Sequence, residues 1–273
     1  MAVVYEKASE IIKEMQRILS KDNEEENLRI NRLWHTISYI RASRLATMLR
    51  TTIGDTVQGG PFKGMRLTPD VMTGAYAPAL LGMYEHELHS VFEGVIKQPF
   101  KKIVNIGCAY GYYSVGLAMR MPQVTVDSFD INEGCQKRCR DMATLNGVQD
   151  RIHVAGEFRG EDFAKYIPGE TLVLMDIEGG EKDLLDPVKY PALKKLHVIL
   201  EMHDVFDKEI SQLMTERFSA SHDIQIVGHT NIMYDLTQIT GPVRYIDPID
   251  NMLVTWENRG GPTPWAIMKP KSA

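Results

Sequence analysis

Apolar residues recur at helical spacing near the start of the chain, at Ile11, Ile12, Met15 and Ile18, and again at Ile30, Leu33, Trp34, Ile37 and Ile40. Returns every three or four residues lie on one face of a helix, so two amphipathic helices are predicted, separated by the charged run at 21–26. A bend rich in Gly and Pro at 58–64 interrupts the pattern, and residues 81–96 resume it as one helix carrying Tyr84, Glu85, His86, Glu87 and His89. From Lys101 the rhythm changes. Short apolar runs at 103–106, 124–129, 152–154, 172–175 and 198–200 alternate with helix-sized stretches, and further strand candidates stand at 224–227, 252–256 and 265–268. This alternation predicts an α/β fold with a doubly wound, mostly parallel sheet and helices on both faces. The expected division is a helical extension over 1–80, serving as a cap or dimer contact, followed by the sheet domain over 81–273.

Composition narrows the class. With 44% hydrophobic and 25% charged residues, the chain has no apolar run near the ~18–20 residues of a membrane span. Its first fifteen residues turn acidic and amphipathic too early for a secretory signal. A soluble, cytoplasmic protein with no membrane partner is the expectation. The net charge of −5 weighs against nucleic acid, whose partners concentrate Lys and Arg. Cys108, Cys135 and Cys139 are too few and too oddly spaced for a disulfide framework and read as reduced thiols.

The first apolar run leads into Asn105-Ile106-Gly107-Cys108-Ala109-Tyr110-Gly111, a glycine turn that opens a helix. Glycine lets the backbone bend sharply and approach a ligand, and the helix that follows begins with unpaired N–H groups. The second run ends in Asp130, where a carboxylate can accept both hydroxyls of a ribose. The glycine spacing G-x-x-x-G differs from the G-x-G-x-x-G that seats a dinucleotide pyrophosphate, which disfavours a nicotinamide enzyme.

These segments, with SFDIN around Asp130, LNGVQDRIHVAGEF before the third strand end and VLMDIEGGEKDLL at the fourth, resemble the class I S-adenosylmethionine-dependent methyltransferases. The last block is most similar to the FkbM-type subgroup. The resemblance covers roughly residue 81 to the C-terminus and implies a Rossmann-like, seven-stranded sheet with S-adenosylmethionine as cofactor. It implies that Gly107, Cys108 and Gly111 line the methionine moiety, Asp130 holds the ribose, Glu157 and Phe158 flank the adenine, and Asp176 borders the same cofactor. Asn105 stands where that family usually has an acidic residue, so its contact to the cofactor would be a neutral hydrogen bond.

The fourth strand delivers Asp176, Glu178 and Glu181, and the fifth delivers Glu201, His203 and Asp204. Carboxylates crowded at a cleft share a proton, a cation or a basic partner. Three readings follow. His203 or Glu201 acts as general base for a hydroxyl or amine; Asp176, Glu201 and His203 bind a divalent metal that orients the acceptor oxygen; or Asp176 and Glu178 merely cap a helix at 179–185. His229, after the next run, is a further catalytic candidate, and His86 and His89 are weaker ones. The expected activity is O-methylation of a small molecule or sugar unit, with N-methylation or a metal-assisted reaction as alternatives. A module that only senses cofactor or docks a partner is the non-enzymatic rival, and a homodimer through the N-terminal helices is expected. The base-methylation signature Asn/Asp-Pro-Pro-Tyr is missing, since the fourth strand continues Asp176-Ile177-Glu178-Gly179.

Overall fold

The computed structural model describes residues 8–21, 25–68, 75–240 and 247–271. Its helices are α1 (Ala8–Leu19), α2 (Glu26–Ile53), α3 (Tyr76–Leu81), α4 (His89–Ile96), α5 (Tyr112–Arg120), α6 (Glu133–Leu145), α7 (Glu181–Leu184), α8 (Ile210–Phe218), α9 (Thr237–Thr240) and α10 (Asp250–Leu253). Its strands are β1 (Lys102–Ile106), β2 (Thr125–Phe129), β3 (Ile152–Ala155), β4 (Thr171–Met175), β5 (His197–Glu201), β6 (His222–Val227) and β7 (Trp265–Pro270). Compact packing does not follow a single cut at 80/81. One unit gathers 1–55, 72–84 and 231–258; the other gathers 56–71, 85–230 and 259–273.

The first unit is helical. In α1, Ile11 and Ile18 are buried seven residues apart, as the sequence spacing predicts. In α2 the buried face is Ile40, Leu45 and Leu49, whereas Ile30, Trp34 and Ile37 stand 60%, 67% and 45% exposed. The expected strand at 252–256 is instead the helical turn α10 and its continuation. The Asp247 carboxylate accepts the Ile249 N–H at 2.9 Å, and Arg41 grips both Asp250 oxygens at 2.7 and 2.5 Å, fixing the chain in a turn rather than a ladder. Tyr76 and Arg50 both donate to Asp55, each at 2.6 Å, tying α2 to α3.

The second unit carries a seven-stranded sheet in the order β3-β2-β1-β4-β5-β7-β6. β1 to β5 are parallel, and β7 runs antiparallel to β5 and β6. The doubly wound, mostly parallel expectation is met, and strand order reverses between β1 and β4. Central parallel strands are covered on both faces, which is why they read as unbroken apolar runs. One face packs Val104, Val173 and Val198 against Leu193, Met214 and Phe218. The helix expected over 81–96 breaks in two, because Gly82 ends α3 in the left-handed region (φ 72°) and Glu85 adopts φ 46° before the next helical turn.

Register decides where the chemistry sits. Ile106 pairs with Phe129 on one side and with Met175 on the other, and Met175 pairs with Leu200. The carboxyl ends of four strands are therefore level, and the residues that follow them are neighbours. Glu201 pairs with Trp265 at the start of β7, so the segment leading into β7 arrives at the same end.

Candidate active site

The turn after β1 is held closely against its surroundings. Gly107 has φ 82°, and a Cβ there would lie 1.7 Å from the carbonyl oxygen of Asp176. Gly111, at φ 91°, begins α5 with a Cβ position 2.8 Å from Cys139 Sγ. Both glycines are thus required by packing and backbone conformation, independently of any ligand. Asp130 closes the turn: its Oδ2 accepts the Ala109 N–H at 2.9 Å and its Oδ1 accepts the Asn132 N–H at 2.8 Å. A carboxylate offers about four lone-pair sites, so each oxygen retains one for a diol. In an open α/β sheet ligands lie in the crevice where strand order reverses, here between the ends of β1 and β4 and beside Asp130.

The other sequence-expected cofactor residues have the following surroundings. Asn105 is 2% exposed and donates to Ser114 Oγ at 2.8 Å, which also receives the Ser128 hydroxyl at 2.8 Å. Cys108 is buried, and its contact with Cys139, together with burial, pushes its thiol pKa up. The Phe158 ring is buried among Phe129 at 5.0 Å and Phe163 at 4.8 Å, while Glu157 is exposed and lies 3.5 Å from Arg159. Tyr112 and Tyr113 pack on Phe62, as core aromatics do.

At the ends of β4 and β5 the sequence-expected residues do converge. His203 Nδ1 lies 2.5 Å from Oε1 of the fully buried Glu181. Its Nε2 faces Glu201 Oε2 at 3.3 Å and Asp176 Oδ1 at 3.6 Å. The other Glu201 oxygen accepts from Arg259 at 2.5 Å, and Arg259 also donates to Thr263 Oγ1 and, at 3.0 Å, to the buried Glu85. His229 joins the fringe of this network through Glu87, at 3.3 Å. Phe206 stacks on His203 with centroids 5.8 Å apart and is 63% exposed. The helix-cap reading of Asp176 and Glu178 fails, because the N-cap of α7 is Gly180, with no side-chain cap bond, and the first helical residue, Glu181, turns inward to His203.

The charges settle who holds the proton. Burial alone would lower the His203 pKa, but hydrogen bonds to Glu181 and Glu201 outweigh it and raise it to about 10. Burial would likewise raise Glu201, but His203, Asp176 and Arg259 hold it at about 2. Burial and the Glu201 charge push Asp176 well above the usual carboxylate range, although its side chain is 29% exposed. His203 therefore favours its imidazolium form between the Glu181 and Glu201 carboxylates, with Asp176 at its open side. One ligand atom from each of Asp176, Glu201 and His203 lies within 4.8 Å of the others, so a divalent cation fits the donor set in place of the His203 proton. Arg259 and Thr263 are the residues sequence reasoning missed. Arg259 precedes Gly260-Gly261-Pro262, which reads as a solvent loop, and nothing local signals that its partners are far away in the chain.

Compared with known proteins, the sequence matches no family model and no curated protein. Among solved structures the chain is similar to the O-methyltransferase TomG of Streptomyces achromogenes, involved in tomaymycin synthesis and solved with SAM. The identity is 12%, over 84% of this chain and 97% of that one, at TM-score 0.46. It is also similar to precorrin-6y C5,15-methyltransferase of Geobacter metallireducens, at 13% identity over 66% and 87% of the two chains with TM-score 0.44. A precorrin 8w decarboxylase of Methanobacterium thermoautotrophicum has 17% identity over 67% and 89%, with TM-score 0.45.

Proposed function

We propose that the protein is an S-adenosylmethionine-dependent methyltransferase that acts on a hydroxyl oxygen of a small molecule or sugar unit, of the FkbM-type subgroup that the Asp176-Ile177-Glu178-Gly179 segment resembles. The observation that carries this reading is the level register of β2, β1, β4 and β5, which aligns the Asp130 carboxylate with the Asp176, Glu201 and His203 cluster across the switch point. The cofactor supplies a methyl group on a positively charged sulfur, already activated as an electrophile. The protein's part is alignment and the acceptor's proton. Asp130 has acceptor capacity left for a ribose diol, and Gly107 and Gly111 shape the turn beside it. Of the cluster, His203 is held by Glu181 and Glu201 by Arg259, and Asp176 stands at the open side, so in its ionised form Asp176 is the group that would take the proton from the hydroxyl.

The test is incubation with methyl-labelled S-adenosylmethionine and a panel of hydroxylated acceptors, scored for labelled methyl ethers and for S-adenosylhomocysteine. Asp176→Asn should lower turnover by about 10²-fold or more while the protein still binds the cofactor, the loss typical of a missing general base. Cofactor binding without label transfer to any acceptor would favour the sensing module, and labelled amines would favour N-methylation.

A metal-assisted variant is favoured by one specific feature. Glu181 fixes His203 by its Nδ1 and presents Nε2 to the two carboxylates, the outer-shell arrangement common for ligating histidines. Asp176, Glu201 and His203 would then hold the ion and orient the acceptor oxygen. Titration of chelator-treated protein with Mn²⁺, read by electron paramagnetic resonance, should show one site that Asp176→Asn weakens; no bound ion would remove this variant. A homodimer through the N-terminal helices is supported by the exposed Ile30, Trp34 and Ile37 face of α2. Trp34→Glu should convert the dimer to a monomer in sedimentation, and a wild-type monomer would refute the pairing.

A further inference from the structure

A cleft of about 270 Å³ opens in the second unit at the amino ends of β4 and β5. Leu172, near the start of β4, lies on its floor, four residues before Asp176, or about 13 Å at the usual rise of a strand. It is therefore a separate place from the strand-end site. Leu172, Ile199 and Ile267 make an apolar floor, and Val91 and Val95 of α4 supply one wall.

The polar groups around this floor share two properties. First, among the described residues no carboxylate lines the cleft, although the chain carries 36 Asp and Glu against 31 Lys and Arg. Lys269 is its one charged side chain and makes no ion pair among the described residues; Asp223, opposite it in the β6–β7 register, does not reach it. His197 is held below its ordinary pKa by burial and by the nearby His222 and Lys269, so it is neutral at neutral pH. Second, the side chains of Gln98, Gln225 and Lys269 form no hydrogen bond within the described protein, which leaves their N–H donors available at the rim. Gly94, in the interior of α4, completes the opening. A Cβ added there meets nothing within 4 Å, so this glycine weakens its helix without being required by packing.

We propose that this cleft is a binding site for a small amphipathic organic anion: a carboxylate, seated at Lys269 with the Gln98 and Gln225 amides, carrying a short aryl or alkyl tail on the Leu172, Ile199 and Ile267 floor. The absence of any lining carboxylate selects the sign of the ligand's charge, and the apolar floor against a one-sided polar rim selects its amphipathic shape.

The experiment uses 3-phenylpropionate as the probe, with 3-phenylpropanamide and 3-phenylpropylamine as neutral and cationic counterparts, followed by saturation-transfer NMR and isothermal titration on the full chain. The carboxylate should bind saturably, the amide at least fivefold more weakly, and the amine not detectably. Lys269→Met should weaken the carboxylate at least fivefold and bring it level with the amide. Gly94→Leu, which grows a side chain into the open space and improves helix propensity, should abolish binding while melting no lower than wild type. Absence of saturable carboxylate binding overturns the proposal, as does binding unchanged by Gly94→Leu, or the amine binding as well as the acid. The same samples are titrated with S-adenosylhomocysteine. That affinity should be unaltered by either substitution, and its failure in wild type would count against the methyltransferase reading while leaving the cleft result intact.

Discussion

Replacing Arg259 with Met keeps most of the apolar stem and deletes the guanidinium that bonds Glu201, Thr263 and Glu85. Arg259 is 13% exposed, and the carboxylates of Glu85 and Glu201 are 2% and 7% exposed, so neither acid can recover its lost partner from water. Removing one member of a buried ion pair costs about 3–5 kcal/mol, most of it the penalty for the charge left behind. Glu85 loses this bond while Glu201 keeps His203 at 3.3 Å, so the expected loss stays within that range, about 3–4 kcal/mol. Arg259→Lys retains the charge but loses the fork that reaches both acids, and should cost about 2 kcal/mol. Because two compact units need not unfold together, the reporter must belong to the second one. Trp265 is fully buried there, whereas Trp34 and Trp256 lie in the first unit, so urea unfolding is followed by Trp265 emission in a Trp34→Phe, Trp256→Phe background. Adding Glu85→Gln to Arg259→Met should restore at least about 1 kcal/mol, since one of the two buried charges that faced the guanidinium is removed. A loss below about 1 kcal/mol for Arg259→Met, with no gain from the double variant, would refute the idea of a closed charge network around Glu201.

Three further outcomes are expected. Gly107→Ala puts a methyl 1.7 Å from the Asp176 carbonyl at φ 82° and should cost about 3–5 kcal/mol; wild-type melting would contradict the packing of this turn. In chelator-treated protein the His203 ring should titrate near 10 by NMR, and Glu181→Gln should move that titration down toward the ordinary histidine range; an unchanged midpoint would show that Glu181 does not set it. Arg41 holds the Asp250 pKa below its usual value, so this pair stabilises the first unit above the ordinary carboxylate pKa of about 4 and is lost as pH falls through the depressed value. Arg41→Met should therefore lower stability at neutral pH but not at strongly acid pH, as read by Trp256 emission.

Strand-end residues were legible because each stands at the carboxyl end of a parallel strand: Asp176 follows the fully buried β4, Glu201 ends β5, and Asp130 follows β2, whose burial alternates. His203 could be placed beside them, but not its protonation, which depends on Glu181 arriving from the start of α7. Arg259 was invisible because it acts on Glu85 across 174 positions and on Glu201 across 58, and no local pattern encodes such pairings. The helix at 81–96 read as continuous because periodicity is blind to the left-handed residues Gly82 and Glu85. At 252–256 apolar residues suggested a strand, while the side-chain bonds of Asp247 and Asp250 determined a turn. The face of α2 followed the same limit: spacing showed that Ile30, Trp34 and Ile37 align, but not that they remain exposed.

The most direct measurement is calorimetric titration of wild type and Asp130→Ala with S-adenosylhomocysteine. Saturable one-site binding to wild type, weakened at least tenfold in Asp130→Ala, about 1.4 kcal/mol, is the predicted result. No heat of binding to wild type at ligand concentrations up to about 1 mM, or equal affinity in the two proteins, would contradict the claim that this crevice holds the nucleoside by its ribose.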